Sequence, residues 1–307
     1  MKQIASMIAA LFLLSSCATA SKQPPPTPKI HTVTASPGGI LVNAYLIEGD
    51  TGVVAVDSAL TVSDARKLRA QVDALGKPLV AVLLTHGHPD HYNGVATLVE
   101  GRSEVPIYST AQVTQVIRES DAAKEAQWKP MFGAEWPAAR TFPNREVTDG
   151  HTLTLDGLQW TVRALGPGES HADSYWVLEA DKRYVFLGDV VLHGVHAYVS
   201  DGHTTEWLAN LRRVAEAEQK AEKFFPGHGP AGDASLLEWQ RRYLETYREE
   251  VARLRAGGAQ LTADQKTALQ QTMKSRYPEA GLEFLIGLGA DAVAAELAKS
   301  PGASSGR

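Results

Sequence analysis

Six consecutive residues, His86-Gly87-His88-Pro89-Asp90-His91, constrain this 307-residue chain more than any other part of it. Three imidazoles and a carboxylate so close together are donors suited to zinc or a similar divalent cation. They follow Leu79-Val80-Ala81-Val82-Leu83-Leu84, an apolar run of the kind a fully buried strand makes. The cluster therefore leaves a strand at its C-terminal end, where sites in α/β proteins gather. Gly87 and Pro89 disfavour a regular helix through it and leave a turn that aims ligands in different directions.

Around that point strands and helices interleave. Residues 40–47 and 52–57 read as strands, 63–75 as an amphipathic helix and 79–85 as the buried strand. Residues 93–100 read as a helix, 105–108 as a short strand, and 110–126 as a helix with Ser109 as its N-cap. Residues 127–150, with Trp128, Pro130, Met131, Phe132, Trp136, Pro137 and Pro143, read as an aromatic, proline-punctuated loop. A second set of strands is expected at 151–155, 158–165, 174–179 and 184–188. Helices at 205–220 and 235–256 flank a short strand at 223–225, further helix fills 262–299, and no internal repeat of fixed period is evident.

The histidine cluster resembles the H-x-H-x-D-H signature of the metallo-β-lactamase superfamily, and the family's other landmarks follow in order. Asp57, ending Val53-Val54-Ala55-Val56, resembles the acid that orients the histidine loop, although an acid there is also an ordinary turn former. His171 in Gly166-Pro167-Gly168-Glu169-Ser170-His171 resembles the third motif, Asp189 in Phe186-Leu187-Gly188-Asp189 the fourth, and His228 in Pro226-Gly227-His228-Gly229 the fifth. The likeness covers roughly residues 30–230.

The resemblance implies an α/β fold, a four-layer αββα sandwich over residues 30–232, with residues 233–307 a helical extension packed on it. It also implies two divalent ions, zinc in first place, with iron or manganese open to the same ligands. His86, His88 and His171 would hold the first ion and Asp90, His91 and His228 the second, with Asp189 bridging both beside a water or hydroxide. Two ions about 3.5–4 Å apart bring bound water toward a pKa of about 7 and polarise a carbonyl.

The fourth motif bears on the substrate. In the β-lactamase branches it supplies no bridging aspartate, and one branch has cysteine there. Asp189 instead resembles glyoxalase II-like thioesterases, lactonases and phosphodiesterases. Residues 166–176 depart the other way, lacking the G-H-T-x-G-H form common in glyoxalase II and lying nearer the G-P-G-x-x-x-x-D-x pattern seen near β-lactamases. No set of arginines or lysines suggests a glutathione or phosphate tail. The expected reaction is hydrolysis of a small ester, thioester or lactone, with Asp90 and Asp189 in the catalytic machinery and Tyr198 donating to an oxyanion. β-Lactam hydrolysis is the alternative, and a phosphodiesterase or an iron-dependent redox relative the second. Trp128, Met131, Phe132 and Trp136 would wall the pocket, with His193, His196, Tyr198 and His203 nearby. Packing of these side chains against the C-terminal helices is the other reading.

Lys2 and the apolar run from Met7 to Leu14, too short to span a bilayer, read as an export signal. Leu14-Ser15-Ser16-Cys17 resembles a bacterial lipoprotein box. That makes residues 1–17 a signal peptide, residues 18–29 a proline-rich tether, and Cys17 a lipid anchor at the periplasmic face of the outer membrane. An ordinary signal cleaved near Ala18-Thr19-Ala20, giving a soluble periplasmic protein, is the alternative. Cys17 is the only cysteine, so the mature chain has neither a disulfide nor a thiolate metal ligand. The net charge of −5, with no basic run, argues against a nucleic-acid partner and leaves a small-molecule substrate.

Overall fold

A computed structural model describes residues 27–299. The expected signal, its Cys17 anchor and most of the tether lie outside the described residues, as does the chain after 299.

The strands β1 (Lys29–Thr34), β2 (Asn43–Glu48), β3 (Val53–Val56), β4 (Leu79–Leu83), β5 (Ile107–Thr110) and β6 (Arg145–Val147) form one sheet in that spatial order. The strands β7 (Thr152–Leu155), β8 (Leu158–Gly166), β9 (Asp173–Glu179), β10 (Arg183–Leu192) and β11 (Lys223–His228) form a second, ordered β11-β10-β9-β8-β7. Strands β3 to β6 pair in parallel, as do β10 and β11. Parallel neighbours need crossovers. These are supplied by α1 (Val62–Ala74), the short α2 (Pro89–Tyr92) and α3 (Val95–Leu98), α4 (Ala111–Phe132) and α5 (Thr204–Ala217). Four further helices follow: α6 (Ser235–Leu254), α7 (Ala263–Arg276), α8 (Phe284–Leu288) and α9 (Ala290–Lys299).

The inner strands bury side chains on both faces because each sheet is covered on both there. In β2, Ala44 and Leu46 pack with Leu68, Val72, Val113 and Ile117 of the helices, while Tyr45 and Ile47 face the other sheet. In β9, Tyr175 and Val177 join the core under α5 and α6, while Trp176 and Leu178 point between the sheets. Trp160, Trp176 and Phe186 fill that central layer. Burying a side chain of this kind contributes on the order of 3 kcal/mol, and Trp176 also donates its indole N–H to the Leu84 carbonyl at 3.0 Å, tying the sheets together. The result is the αββα sandwich expected from the motifs.

Several local expectations change. Helix α4 continues to Phe132 and carries Pro130 inside it, so Trp128, Met131 and Phe132 lie on its last turns and not on a loop. Its N-cap is Thr110, whose hydroxyl accepts from Val113 N at 3.2 Å; Ser109 belongs to β5 and meets Thr114. Pro89 opens a helix instead of preventing one, since its fixed φ and missing N–H suit a first helical position. Strand β10 runs past Gly188 to Leu192, which carries Asp189 on a strand.

The C-terminal helices are docked tightly. Tyr243, Tyr247, Leu269, Met273, Ile286 and Val293 belong to the same core as β9 and β10. His196 N donates to Gly281 O at 2.8 Å, and its Nδ1 meets the Tyr243 hydroxyl at 2.9 Å. Among the described residues no helix is long and apolar enough to cross a membrane.

Candidate metal centre

The turn after β4 and the short helix α2 bring His86, His88, Asp90 and His91 together with residues of the second sheet. Strand β10 adds Asp189, and β11 adds His228. All six are buried. They divide into two groups whose ligand atoms lie within 4.8 Å of one another: Asp90, His91, Asp189 and His228 in one, and His86, His88 and Glu169 in the other. Asp189 stands between them, with Oδ1 at 3.2 Å from His91 Nε2 and Oδ2 at 3.5 Å from His228 Nε2 and 4.0 Å from His86 Nε2. His228 Nε2 is also 3.3 Å from Asp90 Oδ2.

The third member of the first group is Glu169, where His171 was expected. Glu169 Oε2 lies 2.9 Å from His88 Nδ1 and 3.5 Å from His86 Nε2. His171 faces outward, its side chain 56% exposed, and meets His203 at 2.8 Å. The cause is a turn built on Asp173. Its carboxylate accepts from the backbone N–H of Glu169 (2.6 Å) and of Ser170 (3.1 Å), and from the Ser170 hydroxyl (2.6 Å). That turn aims Glu169 inward and leaves His171 beyond it. In the sequence Glu169 carries no signal of its own beyond its place directly after Gly166-Pro167-Gly168.

Two further carboxylates fix the imidazoles from behind. Asp57 Oδ2 is 2.9 Å from His91 Nδ1, and its two oxygens accept from Thr85 N (2.9 Å) and Thr85 Oγ1 (2.8 Å). It does so from a left-handed backbone, φ 59°, which a short polar residue tolerates and which recurs at functional sites. Asp201 Oδ2 is 3.1 Å from His88 Nε2. These contacts leave Nε2 of His91 and Nδ1 of His88 facing the interior, the arrangement by which outer carboxylates set the tautomer of a metal-binding histidine. Gly227 permits the close packing: a Cβ there would lie 1.8 Å from Asp189 Oδ1.

The electrostatics fit a cation site. Burial pushes Glu169 up to about 8 against the pull of His88. Asp189, equally penalised by burial, is held well below the carboxylate range by His91 and His228. His228 is raised to about 9 despite burial, through Asp189 and Asp90. His86 Nε2, His91 Nε2, both Glu169 oxygens and Asp189 Oδ1 are buried without a hydrogen-bond partner of acceptable geometry among the described residues. Buried charge of this kind is costly unless paired or coordinating metal, and imidazole nitrogens with carboxylate oxygens are the donors such ions take.

A cavity opens over these groups. Asp90, Asp189, His228, His88 and Glu169 form one side of it, and Tyr198, Lys124, Trp128 and Phe132 contribute to the rest. Of the neighbouring residues named from sequence, His193 packs on Trp239, His196 on Tyr243, and Trp136 is buried beneath Arg140. Leu282, Phe284 and Leu285, from the C-terminal extension, also line the cavity.

Fold and site together are those of an αββα protein with two candidate metal-binding groups. The chain belongs to the metallo-β-lactamase superfamily, whose family model matches residues 37–228. It is 26% identical over 186 residues to the 2,4-dinitroanisole O-demethylase subunit alpha of Nocardioides sp. (strain JS1661), a match covering 59% of this chain and 51% of that one, so it spans about half of that relative's length. It is 23% identical over 197 residues to a hydroxyacylglutathione hydrolase of Idiomarina loihiensis, covering 62% of this chain and 65% of that one. A β-lactamase domain protein from Burkholderia ambifaria is similar in structure, with TM-score 0.63, 21% identity and coverage of 83% and 81% of the two chains.

Proposed function

We propose that this protein hydrolyses a small ester, thioester or lactone with two divalent ions, zinc in first place. One observation carries the reading: Asp189 lies between two buried ligand groups and touches members of both. His86, His88 and Glu169 would hold one ion, Asp90, His91 and His228 the other, and Asp189 both. When bound, such ions supply Lewis acidity and lower the pKa of water at the reacting centre.

The chain's own residues do the positioning. Asp57 and Asp201 hold His91 and His88 in the tautomers that face the centre. Asp90 and Asp189 place carboxylate oxygens beside the reaction space, where they orient an attacking water by accepting its hydrogen bond. Tyr198 and Lys124 line the same cavity, the hydroxyl 3.3 Å from the ammonium, a donor pair for an anionic group of the substrate. Asp189 reaches both ligand groups, where the β-lactamase branches carry no such shared aspartate, and this supports ester, thioester or lactone cleavage over β-lactam hydrolysis.

Metal analysis of the purified protein, with a panel of an activated ester, a lactone, a thioester, nitrocefin and bis-nitrophenyl phosphate, tests this. At least one ester, thioester or lactone is expected to turn over faster than nitrocefin. If β-lactams are cleaved with kcat/KM of about 10⁴–10⁸ M⁻¹s⁻¹ while every ester, thioester and lactone is ignored, β-lactam hydrolysis replaces this reading.

A further inference from the structure

We propose that the substrate is amphipathic: it carries one carboxylate, held by Lys124 with Tyr198, on an apolar body that lies between the end of α4 and α8. This deepens the hydrolase reading and rests on the same cavity being the reactive one.

The polar end is defined by a single cation. Lys124 is the only lysine or arginine lining the cavity among the described residues. Its ammonium sits over the Tyr198 ring, with Nζ 5.1 Å from the centroid, 3.3 Å from the Tyr198 hydroxyl and 3.9 Å from Asp201 Oδ1. Asp201 is committed more closely to His88, at 3.1 Å, so it satisfies the ammonium only in part. An ammonium has three donors, and one carboxylate completes it together with the adjacent tyrosine hydroxyl.

The apolar end is built by two segments that sequence places far apart. Trp128 and Phe132 come from α4, and Leu282, Phe284 and Leu285 from the region around α8. The exposed large apolar side chains of the described residues, Met131 (66%), Phe284 (46%) and Leu288 (42%), belong to the same two helices. Phe284 both lines the cavity and stays half exposed, so it carries that apolar wall out to solvent, the feature that marks where an apolar ligand enters.

Calorimetric binding of decanoate, decanamide and acetate to the metal-loaded protein separates the parts. Decanoate is expected to bind about tenfold tighter than decanamide, through the charge-assisted contact, and about a hundredfold tighter than acetate, through the tail. Lys124→Gln should bring decanoate and decanamide within about twofold of each other, while Lys124→Arg keeps the carboxylate preference. Phe284→Ser with Leu285→Ser should erase most of the preference over acetate and leave acetate itself unchanged. A carboxylate preference that survives intact in Lys124→Gln means the ions take the carboxylate and overturns the proposal, as does decanoate binding no tighter than acetate. Ester hydrolysis is scored separately. Its absence alongside the stated binding pattern would remove the hydrolase reading and leave the ligand class standing.

Discussion

Glu169 and His171 are sorted by one side chain, Asp173, whose hydrogen bonds to the intervening turn send the carboxylate inward and the imidazole out. This gives a sharp expectation for metal content. Glu169→Ala should lose close to one ion per chain by elemental analysis, while His171→Ala keeps both; the reverse result would return His171 to the centre. Gly227→Ala belongs to the same scale. Its new Cβ, 1.8 Å from Asp189 Oδ1, cannot coexist with that carboxylate in place, so both ions should bind more weakly and hydrolysis should fall by at least about tenfold. An unchanged metal content in Gly227→Ala would mean that the backbone yields instead. His86, His88, Asp90 and His91 were legible because they are contiguous and follow a buried strand, and Asp189 and His228 because each closes a strand-like run. Glu169 was not, because a motif records residue types in order, whereas the direction in which a side chain points is set by turn hydrogen bonds that no spacing displays.

At the scale of elements, what was legible is what is buried on both faces. The runs that became β3 and β4 are apolar at every position, and β2 and β9 each carry four consecutive apolar residues at their centre, the pattern of strands covered on both faces. Strands β1 and β6, on the edges of the first sheet and largely exposed or half-buried, leave no such trace. The end of α4 was hidden because Pro130 and the surrounding aromatics mimic a loop. The joint between β10 and the C-terminal helices supplies a pH prediction. His196 is buried there, facing the Tyr243 hydroxyl with Glu283 and Lys274 farther off, and burial pushes it down to about 4. In the unfolded chain an imidazole takes up a proton below about pH 6.5. Stability from keeping His196 neutral is therefore complete above 6.5 and is lost as pH falls toward 4, an effect on the order of 2 kcal/mol. Thermal unfolding of His196→Asn and the parent protein at pH 7 and pH 5 should show the smaller drop in the variant. Equal drops would place the neutral-imidazole contribution elsewhere.

For the molecule as a whole, the two ligand groups draw on both sheets: His86, His88, Asp90 and His91 follow the first, while Glu169, Asp189 and His228 come with the second. Removing the ions should therefore lower the melting temperature. Each ion at about a hundred times its Kd contributes about 2.7 kcal/mol, a shift on the order of 5 °C per ion for a protein of this size, and calorimetry before and after chelation measures it. An unchanged midpoint would mean that the sheets hold the site unaided. The same arrangement makes each ion a rivet between two pieces of chain. Severing the connection between β6 and β7 would leave fragments that each retain only part of either ligand set, so that ion capture becomes a direct reporter of whether the halves have found one another.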